Sequence, residues 1–242
     1  MKPSLQLGTW LSIGSPVVAE LAALCGFDWV LLDLEHGSAA EAALPGQLRA
    51  LRGSATRGIV RVGAPHADLI ARVLDWGAHG IMVPHVGSAA EAEAIVQSAH
   101  YPPRGRRGFS RTVRAHDYGI RPPESTPAPL LIAQIETFDA VDHAPGIAGV
   151  AGIDVLFVGP ADLRHDLAHR SPPATEDFEA CLDRVVNAAR VAGKAVGILI
   201  RDPSELPRRL AQGFTRIAVQ SDLALLRDAL RSIVQTTKAG PS

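Results

Sequence analysis

Asp33, Glu35 and His36 stand within four positions in the run LLDLEHG, where apolar residues give way to two carboxylates and an imidazole. Similar chemistry recurs at intervals. Arg61 ends IVR, Gln134 and Glu136 end AQIE, and Asp162 follows VGPA. Asp33 and His36 are close enough for the carboxylate to fix the imidazole tautomer and support its cation, which would make an acid/base unit. Arg61 could stabilise an oxyanion. Two carboxylates from neighbouring strands, without a third strong ligand nearby in sequence, suit a hard cation that keeps positions for water and substrate oxygens; Mg²⁺ or Mn²⁺ fits better than a closed zinc cage. The turn Gly159-Pro160-Ala161 offers the N–H groups of Gly159 and Ala161 as a cradle for a substrate carboxylate, with Pro160 fixing the turn. A metal, a base, an oxyanion partner and a carboxylate cradle together point to proton abstraction beside a carbonyl.

Each residue also has a plainer role open to it. Asp33, Glu136 and Asp162 could cap helices, Arg61 could be half of a buried ion pair, and His36 could be an ordinary loop histidine. The set acquires meaning only if one architecture brings the groups to one place.

Eight short apolar, β-branched runs supply that architecture: Thr9 to Ser12, Trp29 to Asp33, Ile59 to Val62, Gly80 to Val83, Leu130 to Ile135, Asp154 to Val158, Ala195 to Ile200 and Thr215 to Val219. Amphipathic stretches alternate with them, among them Ala39 to Arg52, Phe138 to His143, Phe178 to Ala192 and Leu223 to Val234. Alternation of this kind predicts a parallel sheet, and eight units predict a closed (β/α)8 TIM barrel over residues 1–242 as one domain, with the active site at the carboxyl ends of the strands. An open doubly wound sheet is the alternative. It is disfavoured because Gly146, Gly149 and Gly152 precede a strand, where a dinucleotide fingerprint follows one.

The segment 101–129, rich in Pro, Gly and Arg, breaks the rhythm and is expected to be an excursion of the fourth βα connection, serving as a lid or an oligomer contact. Its Arg104, Arg106, Arg107, Arg111 and Arg114 could receive an anionic acceptor or touch another subunit, with the second reading preferred.

Composition narrows the partners. Hydrophobic residues make up 47% of the 242, charged residues 20%, and the formal net charge is -1, a balance that gives no pull toward nucleic acid or an acidic membrane. No apolar run reaches the length of a membrane span. Two cysteines, Cys25 and Cys181, and no evident signal peptide fit a soluble protein of the reducing cytoplasm.

The stretches GFDWVLLDLEHG, IVRV, GAHGIMVPHV, YPPRGRRG, QIET, VGPADL and GKAVGILI, in that order between about Leu7 and Leu226, resemble the HpcH/HpaI family of class II, metal-dependent pyruvate aldolases. The resemblance implies a divalent metal, Mg²⁺, Mn²⁺ or Co²⁺, held by Glu136 and Asp162, with Gln134 bordering it and Gly159 and Ala161 holding the carboxylate of pyruvate. It implies that Arg61 faces the enolate oxygen while His36 and Asp33 handle protons. The partners it implies are a small 2-oxo acid, pyruvate or hydroxypyruvate, and an aldehyde. It also implies a homo-oligomer, a hexamer built as a trimer of dimers, with the last helix exchanged between subunits. The chain departs from the family pattern at Leu34, where Gly is common, and after His36, where Ala-Pro-Asn is usual, so the aldehyde side of the pocket is the part that transfers least. Citrate-forming enzymes and acyl-CoA lyases are relatives of that family, which keeps other carbon–carbon bond chemistry open.

Three other readings have less behind them. A Schiff-base aldolase needs a lysine at the barrel mouth, but Lys194 precedes the seventh strand and Lys2 and Lys238 lie near the ends of the chain. A zinc hydrolase would use His165 and His169, which have i, i+4 spacing but no HExxH around them. A barrel that only binds a metabolite is distinguished by turnover with pyruvate and aldehydes.

Overall fold

The computed structural model describes residues 4–238. Eight strands form a closed, all-parallel barrel in chain order: β1 (Gln6–Leu11), β2 (Trp29–Asp33), β3 (Arg57–Arg61), β4 (Gly80–Val83), β5 (Leu130–Ile135), β6 (Val155–Val158), β7 (Ala195–Ile200) and β8 (Arg216–Ser221). Between and after them run α1 (Pro16–Leu24), α2 (Leu44–Ala50), α3 (Ala67–Asp75), α4 (Ala89–Ala99), α5 (Phe138–Gly149), α6 (Pro160–His169), α7 (Phe178–Val191), α8 (Leu206–Gln212) and α9 (Asp222–Lys238). The predicted (β/α)8 barrel is the fold of the molecule.

The strands are apolar on both faces because each face meets a core. Val30 and Leu32 of β2 pack outward against the helices, whereas Trp29 and Leu31 point into the barrel. The inner core joins Trp10, Trp29, Leu31, Ile59, Met82, Ile132, Val155 and Phe157. Trp29 and Phe157 meet edge to face at 6.1 Å. A Cβ at Gly8 would lie 2.2 Å from the Trp29 ring, so only glycine lets that indole cross the barrel.

Side chains alternate across a strand with a period of two. The inward series Trp29, Leu31 therefore continues to Asp33, Ile59 continues to Arg61, and Ile132 continues to Gln134 and on to Glu136. Sequence alone orders these polar residues at the carboxyl ends, and the alternation turns them into the mouth.

Local chemistry sets the helix starts. Ser88, Thr137 and Asp177 accept hydrogen bonds from Glu91, Ala140 and Ala180 N–H and so cap α4, α5 and α7. The stretch expected as one helix over Ala39 to Arg52 is a 3-10 turn, Glu41–Ala43, followed by α2, with Pro45 in its first turn. The helix expected to end at His143 continues through Pro145 to Gly149. The helix near whose start Asp162 was expected is α6, which follows β6 directly and is not among the amphipathic stretches.

Segment 101–129 joins α4 to β5, so it crosses the amino-terminal face of the barrel and is not a βα connection over the catalytic end. Arg114 fastens it there by donating to the carbonyls of Trp76 and Leu48, at the ends of α3 and α2. The lid reading and the acceptor-anion reading of the arginines therefore both fail at the carboxyl-end mouth.

Candidate active site

β2 and β3 are paired so that Asp33 and Arg61 stand directly across from each other. Arg61 donates from Nε to Asp33 Oδ1 at 3.0 Å and from one terminal nitrogen to Oδ2 at 2.8 Å. Its other terminal nitrogen lies 2.7 Å from Glu35 Oε2, an ion pair outside hydrogen-bond alignment. Both Asp33 and Arg61 are buried, and the guanidinium lies 5.4 Å from the Trp10 ring centre. Burial alone would raise the Asp33 pKa. The hydrogen bond and charge of Arg61, with backbone N–H groups of Glu35 and His36, outweigh it and hold the carboxyl below its ordinary value. Burial likewise disfavours the Arg61 cation, but Asp33, then Glu35 and Glu136, raise its pKa. Each member of the pair favours the charged form of the other.

The expected Asp33–His36 side-chain pair is not formed. Asp33 Oδ1 accepts from the backbone N–H of His36 at 3.3 Å, and the imidazole extends outward, 69% exposed, with Nε2 3.9 Å from Glu35 Oε1. Arg61, the cross-strand neighbour, takes the carboxylate that sequence proximity offered to His36.

A second histidine, not singled out from sequence, enters from the loop after β4. His85 has a left-handed backbone, φ 54°, and its N–H donates to Glu136 Oε2 at 2.9 Å. Its ring bridges two acids, with Nδ1 3.2 Å from Glu136 Oε2 and Nε2 3.3 Å from Glu35 Oε1. The signal was available: His85 lies two positions past the end of its strand, where the barrel rule places functional groups. Glu35 ties the whole set together, touching Arg61, His85 and, more distantly, His36.

Glu136 is buried and its pKa is pushed up to about 7, first by burial and then by the charges of Asp162 and Glu35, against the lowering contacts of His85. Gln134 Oε1 is buried with no hydrogen-bond partner among the described residues. Gly159 makes room for the acid, since a Cβ there would lie 2.5 Å from Glu136 Oε1. The Gly159 N–H, expected in the carboxylate cradle, is instead committed to the Ile135 carbonyl at 3.0 Å. Pro160 opens α6 and has no N–H to give. The first N–H groups of a helix have no intrahelical acceptors and attract anions, and no side chain caps this end. Ala161 and Asp162, in the first turn, can thus supply the cradle.

Asp33, His36, Arg61, Gln134, Gly159, Pro160, Ala161 and Asp162 line one cavity of about 480 Å³ at the carboxyl end of the barrel. Glu136 borders it through Gly159. A buried glutamate destabilised as an anion, Asp162 facing it electrostatically and an unsatisfied amide oxygen form an all-oxygen set suited to a hard divalent cation. Among the described residues no group of three or more His, Cys, Asp and Glu is placed to enclose a metal, so such a cation would complete its shell with water and substrate oxygens. The pair His165 and His169 stacks on itself along α6, ring centres 4.2 Å apart, and joins no such group.

Residues 6–229 match the family described as HpcH/HpaI aldolase/citrate lyase. The chain is 36% identical over 237 residues to a 5-keto-4-deoxy-D-glucarate aldolase of Shigella dysenteriae, covering 97% of this chain and 93% of that one. It is 37% identical over 239 residues to a hydroxypyruvate/pyruvate aldolase of Pseudomonas aeruginosa, covering 97% and 89%. A crystal structure of a HpcH/HpaI aldolase/citrate lyase family protein from Burkholderia cenocepacia superposes with a TM-score of 0.90 at 34% identity, over 97% of this chain and 95% of that one.

Proposed function

Since the chain belongs to the HpcH/HpaI aldolase/citrate lyase family, we propose that it is a divalent-metal-dependent aldolase that makes or cleaves 4-hydroxy-2-oxo acids from pyruvate or hydroxypyruvate and an aldehyde. The observation that carries the reading is one mouth lined by Asp162, the unsatisfied Gln134 oxygen and the guanidinium held by Asp33, with Glu136 against Gly159 at its border. Glu136 and Asp162 would hold Mg²⁺, Mn²⁺ or Co²⁺, and the bound ion would act as a Lewis acid toward the 2-oxo acid.

The protein's own groups have separable tasks. The uncapped start of α6 receives the substrate carboxylate through the N–H groups of Ala161 and Asp162. Of the five N–H bonds of a guanidinium, those of Arg61 facing Asp33 and Glu35 are committed, and the remaining ones can meet the oxygen that becomes an enolate. In the forward direction a proton leaves the pyruvate methyl group, that carbon bonds the aldehyde carbon, and the aldehyde oxygen gains a proton. Cleavage reverses each change. His36 is the group assigned to the proton: it is among the residues lining the cavity and its imidazole is exposed, whereas both ring nitrogens of His85 face carboxylates at closer range.

The exposed apolar row of α9, Leu223, Leu226, Leu230 and Ile233, supports helix exchange within a homohexamer. No helix among the described residues is long and apolar enough to cross a membrane, and the free thiols Cys25 and Cys181 suit the cytoplasm.

The test is turnover of pyruvate with small aldehydes in the presence and absence of Mg²⁺ or Mn²⁺, with metal affinity measured separately by calorimetry. Glu136→Gln and Asp162→Asn should each weaken metal binding, and chelation should abolish turnover. Full activity after chelation would overturn the proposal.

A further inference from the structure

The opposite end of the barrel carries charge that the proposed reaction does not use. Arg57 begins β3, His79 precedes β4, Asp154 precedes β6, and with His100 and Arg104 they line a cavity of about 300 Å³ under the amino-terminal face. It adjoins a larger hollow of about 530 Å³ beneath segment 101–129, which shares His79, His100 and Arg104. Neither Arg57 nor Arg104 forms an ion pair with a carboxylate among the described residues. Arg216, beside Arg57 in the barrel floor, has a buried Nε without a partner.

One acid faces these cations. Asp154 accepts the Leu131 N–H at 2.8 Å and pairs with none of the arginines. His79 Nδ1 accepts the Gly58 N–H at 3.2 Å, so the neutral ring carries its proton on Nε2, a donor left for another acceptor. His100 is buried and its Nε2 has no partner among the described residues. Both imidazoles are held below their ordinary pKa, by burial first, and then by Arg57 and Arg114 at His79 and by Arg104 and Arg107 at His100, with Asp154 opposing at His100. Arg57 and Arg104 are exposed at the rim of the hollow, where concave walls concentrate the field of their unpaired charges. The donors are guanidinium forks and an imidazole N–H, the groups that recognise phosphate and carboxylate oxygens.

We propose that this amino-terminal mouth, formed by Arg57, Arg104, His79 and His100, is a second ligand site that binds a small oxyanion, phosphate or a dicarboxylate, independently of the catalytic mouth.

Calorimetric titration of the Mg²⁺-loaded full chain with inorganic phosphate, and separately with malonate, tests this. Saturable binding of either anion at one site per chain is expected, and which anion binds identifies the source of the oxyanion. Binding should survive Asp162→Asn, which alters the catalytic mouth. It should weaken about tenfold or more in Arg57→Gln and in Arg104→Gln, as removal of a charged hydrogen bond does. Both arginines are exposed, and Arg104 lies outside the barrel strands, so that variant stands as the test if Arg57→Gln, at the start of β3, does not fold. The proposal is overturned if neither anion gives saturable heat, if binding disappears in Asp162→Asn but persists in Arg104→Gln, or if Arg104→Gln changes only the oligomeric state.

Discussion

At the scale of single residues, the mouth is governed by which neighbour wins each charge. Asp33 and His36 are three positions apart, and that proximity suggested a carboxylate–imidazole pair. In the folded chain the carboxylate belongs to Arg61, its register partner 28 residues away. Sequence could show that both groups reach the mouth, because strand alternation depends on local order, but not which partner each takes, because that depends on cross-strand pairing. It follows that Asp33 acts through Arg61. Asp33→Asn and Arg61→Met should each lower turnover, and the double variant should lose little more than the worse single one, since the two work as a unit. Additive losses in that cycle would separate them. Asp33→Ala would also remove both hydrogen bonds of a buried guanidinium and leave it only the Glu35 ion pair, at a stability cost of about 1–3 kcal/mol by chemical denaturation. His36 belongs to a different experiment. If its imidazole carries the proton, His36→Ala should slow exchange of the pyruvate methyl hydrogens in D₂O, followed by NMR without aldehyde, by about 10²- to 10⁴-fold, while metal affinity holds. An unchanged exchange rate would remove His36 from the reaction.

At the scale of elements, the strands were legible because their central residues are buried on both faces and read as short apolar runs. Helix α6 was not. Pro160–His169 is largely polar, only Leu163 is buried, and nothing periodic marks it. Its start nevertheless carries the N–H groups assigned to the substrate carboxylate, so the part of the proposed site least visible in sequence rests on a weakly amphipathic helix. The helices α7 and α8 are joined by a different device. Arg209, 2% exposed, donates to both oxygens of Glu179 and to Glu205 and Gln212. The Arg209 hydrogen bond and charge hold Glu179 below its ordinary pKa. A carboxylate so lowered contributes its stability fully above the ordinary carboxylate range, and loses it as pH falls through the folded value. The Tm gap between the native chain and Glu179→Gln should therefore be present at neutral pH and close on acidification below that range. A gap of constant size would assign the effect to packing.

At the scale of the whole molecule, the barrel is a sleeve with two chemically different ends. The carboxyl end sets Asp33, Glu35 and Glu136 around the guanidinium of Arg61, and the hollow at the amino end sets Arg57 and Arg104 around Asp154. Placement of segment 101–129 at the amino end could not be read from its composition, which gives no sign of which face a connection crosses. Outside the sleeve, α9 touches the barrel at β1 and β8 and leaves Leu226 and Leu230 about half exposed. α1 shows a matching row in Val17, Leu21 and Leu24. If α9 is exchanged between copies, Leu226→Glu with Leu230→Glu should dissociate the assembly in sedimentation velocity without unfolding the barrel, while the native chain sediments as a hexamer. A native monomer at micromolar concentration would exclude the exchange. The closing seam has a further effect on how the protein comes into being. Thr9 donates to the Val219 carbonyl, 210 residues later, and Asp222 receives the N–H groups of Ser12 and Ile13. Translation proceeds at about 5–20 residues per second, so β1 waits on the order of ten seconds or more before its partner strand exists. Through that interval the nascent sheet has an open edge that can pair with other chains, and the burden of keeping it apart falls on the cell's chaperones rather than on the finished fold.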